Sequence, residues 1–149
     1  MKTSTTPPES HELSAHATEI RMATFRLARR LRAQRAVDTM SDGQFAVLAA
    51  LKVHGPHTLG ELAERERVTA PSMNRTVGAL EEAGLLSRMQ ADHDRRKVTI
   101  DLTPAGLDVV EETVRRRDAW LEEALGELSK ADRALLVRAA DVMRRLAER

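Results

Sequence analysis

At 149 residues, with 32% charged and only 2% aromatic side chains, the chain fits one domain with helical extensions built on a core of Leu, Val, Ala and Met. That composition favours helices over an aromatic-rich β-sandwich. A net charge of +1 excludes a globally basic surface, so any nucleic-acid footprint is a local patch. The absence of cysteine excludes disulfides, thiol redox sensing, cysteine-ligated zinc and a cysteine nucleophile.

No apolar run approaches the roughly 20 residues that span a bilayer, and MKTSTTPPES lacks the apolar core of a signal peptide. The expectation is a cytoplasmic protein with no membrane partner. Residues 1–10 are polar, contain Pro7 and Pro8, and read as a disordered tail. From about His11 to Val37 runs a helical pattern, within an N-terminal unit spanning 11–40. Leu13, Ala17, Ile20, Thr24, Leu27 and Leu31 recur at steps of four and three, close to the coiled-coil repeat, and six arginines fill much of the remaining surface. This seam fits packing within the chain or between two copies.

Ser41-Asp42-Gly43-Gln44 fits a capping box and opens a core helix that Gly55-Pro56 stops. Thr58-Leu59-Gly60-Glu61 is a second capping box, starting a short helix to about Arg67. After a turn at Val68-Thr69, Thr69 caps a further helix with Pro71 in its first turn and Gly84 at its end. With Met73, Val77 and Leu80 turned inward, the exposed set early in this helix is Thr69, Pro71, Ser72, Asn74 and Arg75. Short hydroxyls suit phosphates, while Asn and Arg reach base edges.

Alternation at 85–90 and 97–102 predicts a β-hairpin, with residues 91–96 as its tip. An ordinary hairpin turn rarely concentrates Arg95, Arg96 and Lys97, whereas a wing lying along a narrow minor groove uses such arginines. Thr103-Pro104 starts a long helix to about Glu127, and Ser129 caps a last helix striped by Leu135, Leu136, Ala139, Met143 and Leu146. Arg115, Arg116 and Arg117 wrap too far around their helix to make one patch and read as solvated. The fold class expected is mainly α: a winged helix-turn-helix at 41–103, with long dimerisation helices at 11–40 and 104–149.

This arrangement resembles the MarR family of bacterial transcription regulators. The match is carried by VTAPSMNRTVGALEEAGLLSR at 68–88, DRRKVTIDLTPAG at 94–106 and the core helix at 41–55. The resemblance implies a homodimer with two winged readers on double-stranded DNA, and a repressor acting on a near-palindromic operator. Ser72, Asn74 and Arg75 would contact the major groove or phosphates, flanked by Thr69 and Pro71. Arg96 would enter the minor groove, oriented by Asp94 with Arg95 on the backbone; a rotated turn would exchange the two arginines. Where the family often has Asp and then Pro early in the wing, this chain has Ala91 and Asp92. The resemblance also implies a phenolic or other anionic small-molecule effector, for which His16, Ile20, Arg21, Phe45, His54 and Trp120 are candidate lining residues.

A different class of function stays open at this point. Glu61, Glu64, Glu66, Glu81 and Glu82 make the middle segment nearly neutral, as would suit a winged helix that binds another protein. Arginines at 75, 95 and 96 favour DNA. An enzyme is disfavoured by the lack of a Gly-rich phosphate loop or a recognisable nucleophile–base pair. No cofactor is called for. Glu12, His16, Glu19, His54 and His57 are metal-ligating types whose spacing makes no cluster, so no metal site is expected.

Overall fold

The computed structural model describes residues 8–91 and 93–149. In chain order they form α1 (Pro8–Ala33), α2 (Asp42–His54), α3 (Leu59–Glu66), α4 (Ala70–Glu82), β1 (Leu86–Ala91), β2 (Asp94–Leu102), α5 (Pro104–Gly126) and α6 (Lys130–Ala147). No helix among the described residues is long and apolar enough to cross a membrane. The chain divides into one unit ending at Gln34 and a second spanning Arg35–Arg149.

The first unit is α1 itself. It begins at Pro8, inside the stretch expected to be a tail, because proline at a helix start gives up no intrahelical hydrogen bond. Residues 1–7 of that expected tail lie outside the described residues. The helix ends at Ala33, four residues short of Val37, and Gln34 closes the last turn by donating its amide to the Leu31 carbonyl at 3.0 Å. Leu13, Ile20 and Leu27 of the apolar seam are exposed.

The second unit is built on α2, where Val47, Leu48 and Leu51 are buried. Around them pack Leu62 and Ala63 of α3, Met73, Val77 and Leu80 of α4, Leu86, Ile100 and Val110. Both predicted capping boxes form, at Ser41 with Gln44 and at Thr58 with Glu61. Thr69, Thr103 and Ser129 cap the next three helices. Each such side chain is worth about 1 kcal/mol against alanine.

Helix ends also follow local chemistry. Gly84, at φ +75°, donates to the Glu81 carbonyl while Leu85 donates to that of Leu80, both at 2.9 Å. This Schellman closure needs a left-handed residue, which glycine supplies without steric cost. The same closure ends α3, where Val68 donates to the Ala63 carbonyl, but there the left-handed position, φ +53°, is held by Arg67.

The hairpin differs from its predicted form. Leu86 pairs with Leu102 and the register runs evenly to Gln90 opposite Val98, but Ala91 pairs with Asp94. Three β2 residues, Arg95, Arg96 and Lys97, therefore fall in a bulge between consecutive partners on β1. The expected six-residue tip is a correction: Asp94, Arg95 and Arg96 belong to the strand, because a bulge absorbs the extra length that the alternation counted as loop. His57 exchanges two backbone hydrogen bonds with Ile100, of 3.1 and 2.7 Å, and so ties the α2–α3 connection to the hairpin.

The Leu-Thr-Pro-x-Gly segment has a tertiary explanation. Thr103 Oγ1 accepts the Gly106 amide at 3.1 Å and donates to the Gly84 carbonyl at 2.6 Å. The Thr103 amide donates to Leu85. Gly106 lies so close to the Leu85 carbonyl that a Cβ would collide with it. The start of α5 is thus fastened to the end of α4.

Farther along α5, Thr113 is buried and accepts the Ala36 amide at 3.1 Å. The three successive arginines do not behave alike: Arg115 and Arg116 are exposed, in keeping with their reading as solvated, whereas Arg117 is half-buried. Arg115 and Arg116 both donate to Glu112, Arg116 also donates to the Arg35 carbonyl, and Arg117 stacks its guanidinium 4.4 Å from the Phe45 ring centroid. Successive residues on a helix point about 100° apart, so each meets a different neighbour. The two guanidinium partners hold the Glu112 carboxyl down to about 2. On α6 no residue is buried; Leu135, Leu136, Val142, Met143 and Leu146 are all exposed.

Candidate nucleic-acid interface

Two elements present the predicted side chains. On α4, the inward turn of Met73, Val77 and Leu80 leaves Thr69, Pro71, Asn74 and Arg75 exposed. Ser72 is a partial exception. It is half-buried, its amide donates to Thr69 Oγ1 at 3.3 Å, and its carbonyl accepts the Thr76 hydroxyl. The capping interaction draws Ser72 back into the first turn, so it is less presented than its helical position suggests.

On the hairpin, Asp94 and Arg96 are exposed, and Asp94 Oδ1 accepts the backbone amide of Arg96 at 3.0 Å. Asp94 therefore orders the bulge through its backbone. The side chain of Arg95 lies outside the described residues, as does Asp92. Lys97, also exposed, completes the basic run.

One residue was missed by sequence reasoning. Arg88 of β1 donates from Nε to Glu81 at 2.7 Å and from a terminal nitrogen to Asn74 Oδ1 at 3.3 Å. It thereby spans two turns of α4 along the face that carries Asn74. A signal was available. Arg88 pairs with buried Ile100 and shares strand parity with buried Leu86, so the alternation put a charge on the inward face. A cation there needs a partner at the edge of the core.

A helix capped at Thr69, packed in the second unit with a two-stranded hairpin, has the form of a winged helix-turn-helix. The profile of the MarR family matches residues 40–98. An HTH-type transcriptional regulator of Mycobacterium bovis is 35% identical over 127 residues, covering 85% of this chain and 89% of that protein. The chain belongs to the MarR family. Another relative, the HTH-type transcriptional repressor MdtR of Bacillus subtilis, is 30% identical over 73% of this chain and 68% of its own length. In fold, the chain is similar to a MarR family protein from Bacillus stearothermophilus, with a TM-score of 0.81 at 21% identity, over 94% of this chain and 98% of that one. MarR proteins are transcriptional regulators that bind DNA, not enzymes.

Of the residues expected to line an effector site of this MarR protein, three belong to the first unit and three to the second. His16, Ile20 and Arg21 are exposed on α1. Within the second unit, Phe45 opens α2 and faces Arg117, whereas His54 lies nine residues on, about 13 Å along the helix. His54 is exposed, with its ring 6.3 Å from that of His57. The imidazole of His57 is held by the Gly55 carbonyl at 2.8 Å. Trp120 is half-buried on α5. Beside Phe45 is a small cavity of about 10 Å³, bounded by Arg35, Val37, Met40, Thr113 and Arg117. That is room for one water and not for an aromatic ring. Among the described residues, no group of three or more His, Asp or Glu side chains could hold a metal ion.

Proposed function

We propose that this MarR-family regulator is a ligand-responsive repressor that binds a near-palindromic operator as a homodimer in the cytoplasm. The observation that carries the DNA-binding part is the joint exposure of Asn74 and Arg75 on α4 with Arg96 in the hairpin bulge. Asn74 and Arg75 read or anchor the major groove, with Thr69, Pro71 and Ser72 at the helix entry. Arg96 serves the minor groove, with Asp94 ordering its backbone and Arg95 beside it. The exposed apolar stripe of α6 supports a second copy as its cover, since single soluble chains seldom leave such a row in water. Residues 11–40 and 104–149 then serve dimerisation and 41–103 reads DNA, two readers sitting about 10 bp apart or a small multiple of that. The repressor direction is supported by likeness to MdtR.

For the effector, the Phe45–Arg117 stack is the best-founded part of the set, because an arginine over an aromatic ring suits a phenolic or carboxylate ligand. The 10 Å³ cavity has to open for such a ligand to enter, with Arg117 leaving Phe45. An effector that favours the opened form shifts the population away from the operator-binding spacing.

The test is binding of the purified protein to the DNA upstream of its own gene, across a salt series. A steep loss of affinity with salt together with a large preference over random DNA supports the reading. Absence of preference for any genomic fragment, in that titration and in a genome-wide pull-down, sinks it in favour of a protein-binding winged helix.

A further inference from the structure

We propose that Arg88 is a positioning residue that sets the base preference of Asn74. This rests on the DNA-binding reading above and deepens it. Asn74 carries an acceptor, Oδ1, and a donor pair on Nδ2, and a free asparagine uses both to bind adenine at N6 and N7. Here Oδ1 is 3.3 Å from a terminal nitrogen of Arg88. The orientation of the carboxamide follows from chemistry: a guanidinium offers only donors, so the carbonyl oxygen must face it and Nδ2 must point away. Glu81, at 2.7 Å from Arg88 Nε, holds the guanidinium in place by a charge-assisted bond.

The three residues form a chain of fixed polarity, Glu81 to Arg88 to Asn74, running along one face of α4. At its exposed end Asn74 is left as a donor. A donor alone matches a base edge that offers acceptors: O6 and N7 of guanine, or O4 of thymine. Adenine loses the second half of its bidentate pair, because Oδ1 is turned toward Arg88 and so is not directed at the N6 amino group. Cytosine presents an amino group to an amino group and is disfavoured. Arg88 thus makes an asparagine read guanine or thymine at the position where its type alone suggests adenine.

The experiment uses the full-length protein with Arg88→Met, which keeps the stem and removes the donors, and with Glu81→Gln, which weakens the hold on Arg88. Both groups are substantially exposed, with side chains 33% and 44% accessible, so the fold tolerates either change. Operators selected from a random pool by the parent, by Asn74→Ala and by each variant are sequenced. The position read by Asn74 is the one whose preference collapses in Asn74→Ala. The expected result is guanine or thymine there for the parent, and a shift of about tenfold toward adenine for Arg88→Met, with a smaller shift for Glu81→Gln.

A parent that already selects adenine at that position overturns the proposal. So does an Arg88→Met protein that binds every sequence uniformly more weakly with a reduced salt slope, the behaviour of a phosphate contact. In the free protein, the Asn74 side-chain amide resonances must move on Arg88→Met; unmoved resonances overturn the clamp without touching the DNA-binding reading. A parent without any base preference removes that reading and this assignment with it, even where the resonances move.

Discussion

Replacing Gly106 by alanine tests the fastening between reader and α5. The new Cβ would be driven into the Leu85 carbonyl oxygen, with Leu102 Cδ2 a further 3.1 Å neighbour. The obstruction is backbone, held at both ends: Leu85 donates to Leu80, and its carbonyl accepts the Thr103 amide at 3.1 Å. It cannot swing aside as a flexible side chain would. Overpacking of this kind costs about 1–3 kcal/mol, and displacing the carbonyl forfeits a hydrogen bond worth about 1 kcal/mol. Against this, alanine gains about 1 kcal/mol over glycine in a helix. The net loss is about 1–3 kcal/mol, which lowers Tm by roughly 2–12 °C for a chain of this size. Thermal and urea unfolding at one fixed protein concentration measure it, since a self-associating protein melts higher when concentrated. Gly126→Ala is the control on the same helix, where nothing lies within 4 Å of the added carbon; it should melt at or slightly above the parent. If Gly106→Ala also melts at or above the parent, the close approach does not hold the two elements together.

Arg67→Gly removes an arginine from a left-handed position and should raise stability by about 1 kcal/mol, read as a higher urea midpoint with an unchanged m-value. Thr113→Val keeps the shape but strands the Ala36 amide, for an expected loss of about 1–3 kcal/mol in the same assay; no loss would mean the amide finds another partner. Arg75→Ala should weaken operator binding by about 1–3 kcal/mol and blur base preference, whereas Arg96→Ala should weaken it with less dependence on major-groove sequence. Parent-like operator binding by both would show the DNA-binding assignment to be wrong. Glu112 has its folded pKa lowered to about 2 by Arg115 and Arg116, so its ion pairs contribute fully above the ordinary carboxylate value of 4.5 and are lost as pH falls toward 2. Carboxyl NMR should find Glu112 still ionised at pH 3.5, and a midpoint near 4.5 would contradict the bifurcated pairing.

Much of the fold is written locally. Ser41, Thr58, Thr69, Thr103 and Ser129 each act as a cap because a side-chain oxygen three residues ahead of a free amide closes a ring, whatever the rest of the chain does. Periodicity likewise turned Met73, Val77 and Leu80 inward, which left Asn74 and Arg75 outside. Those two facts made the reader helix and its outer face legible.

What the sequence could not decide depends on which distant backbone comes close. The bulge holding Arg95, Arg96 and Lys97 arises from strand register, which alternation alone cannot count. Thr113 and Gly106 look unexceptional in the chain. Their roles appear only when α5 packs onto Ala36 on one side and Leu85 on the other. Arg88 is the sharpest case, since sequence reveals a charge at inward parity but not the Glu81 and Asn74 that receive it. Helix caps and faces are set within a few residues by covalent geometry, whereas hydrogen-bond partners across elements are set by packing.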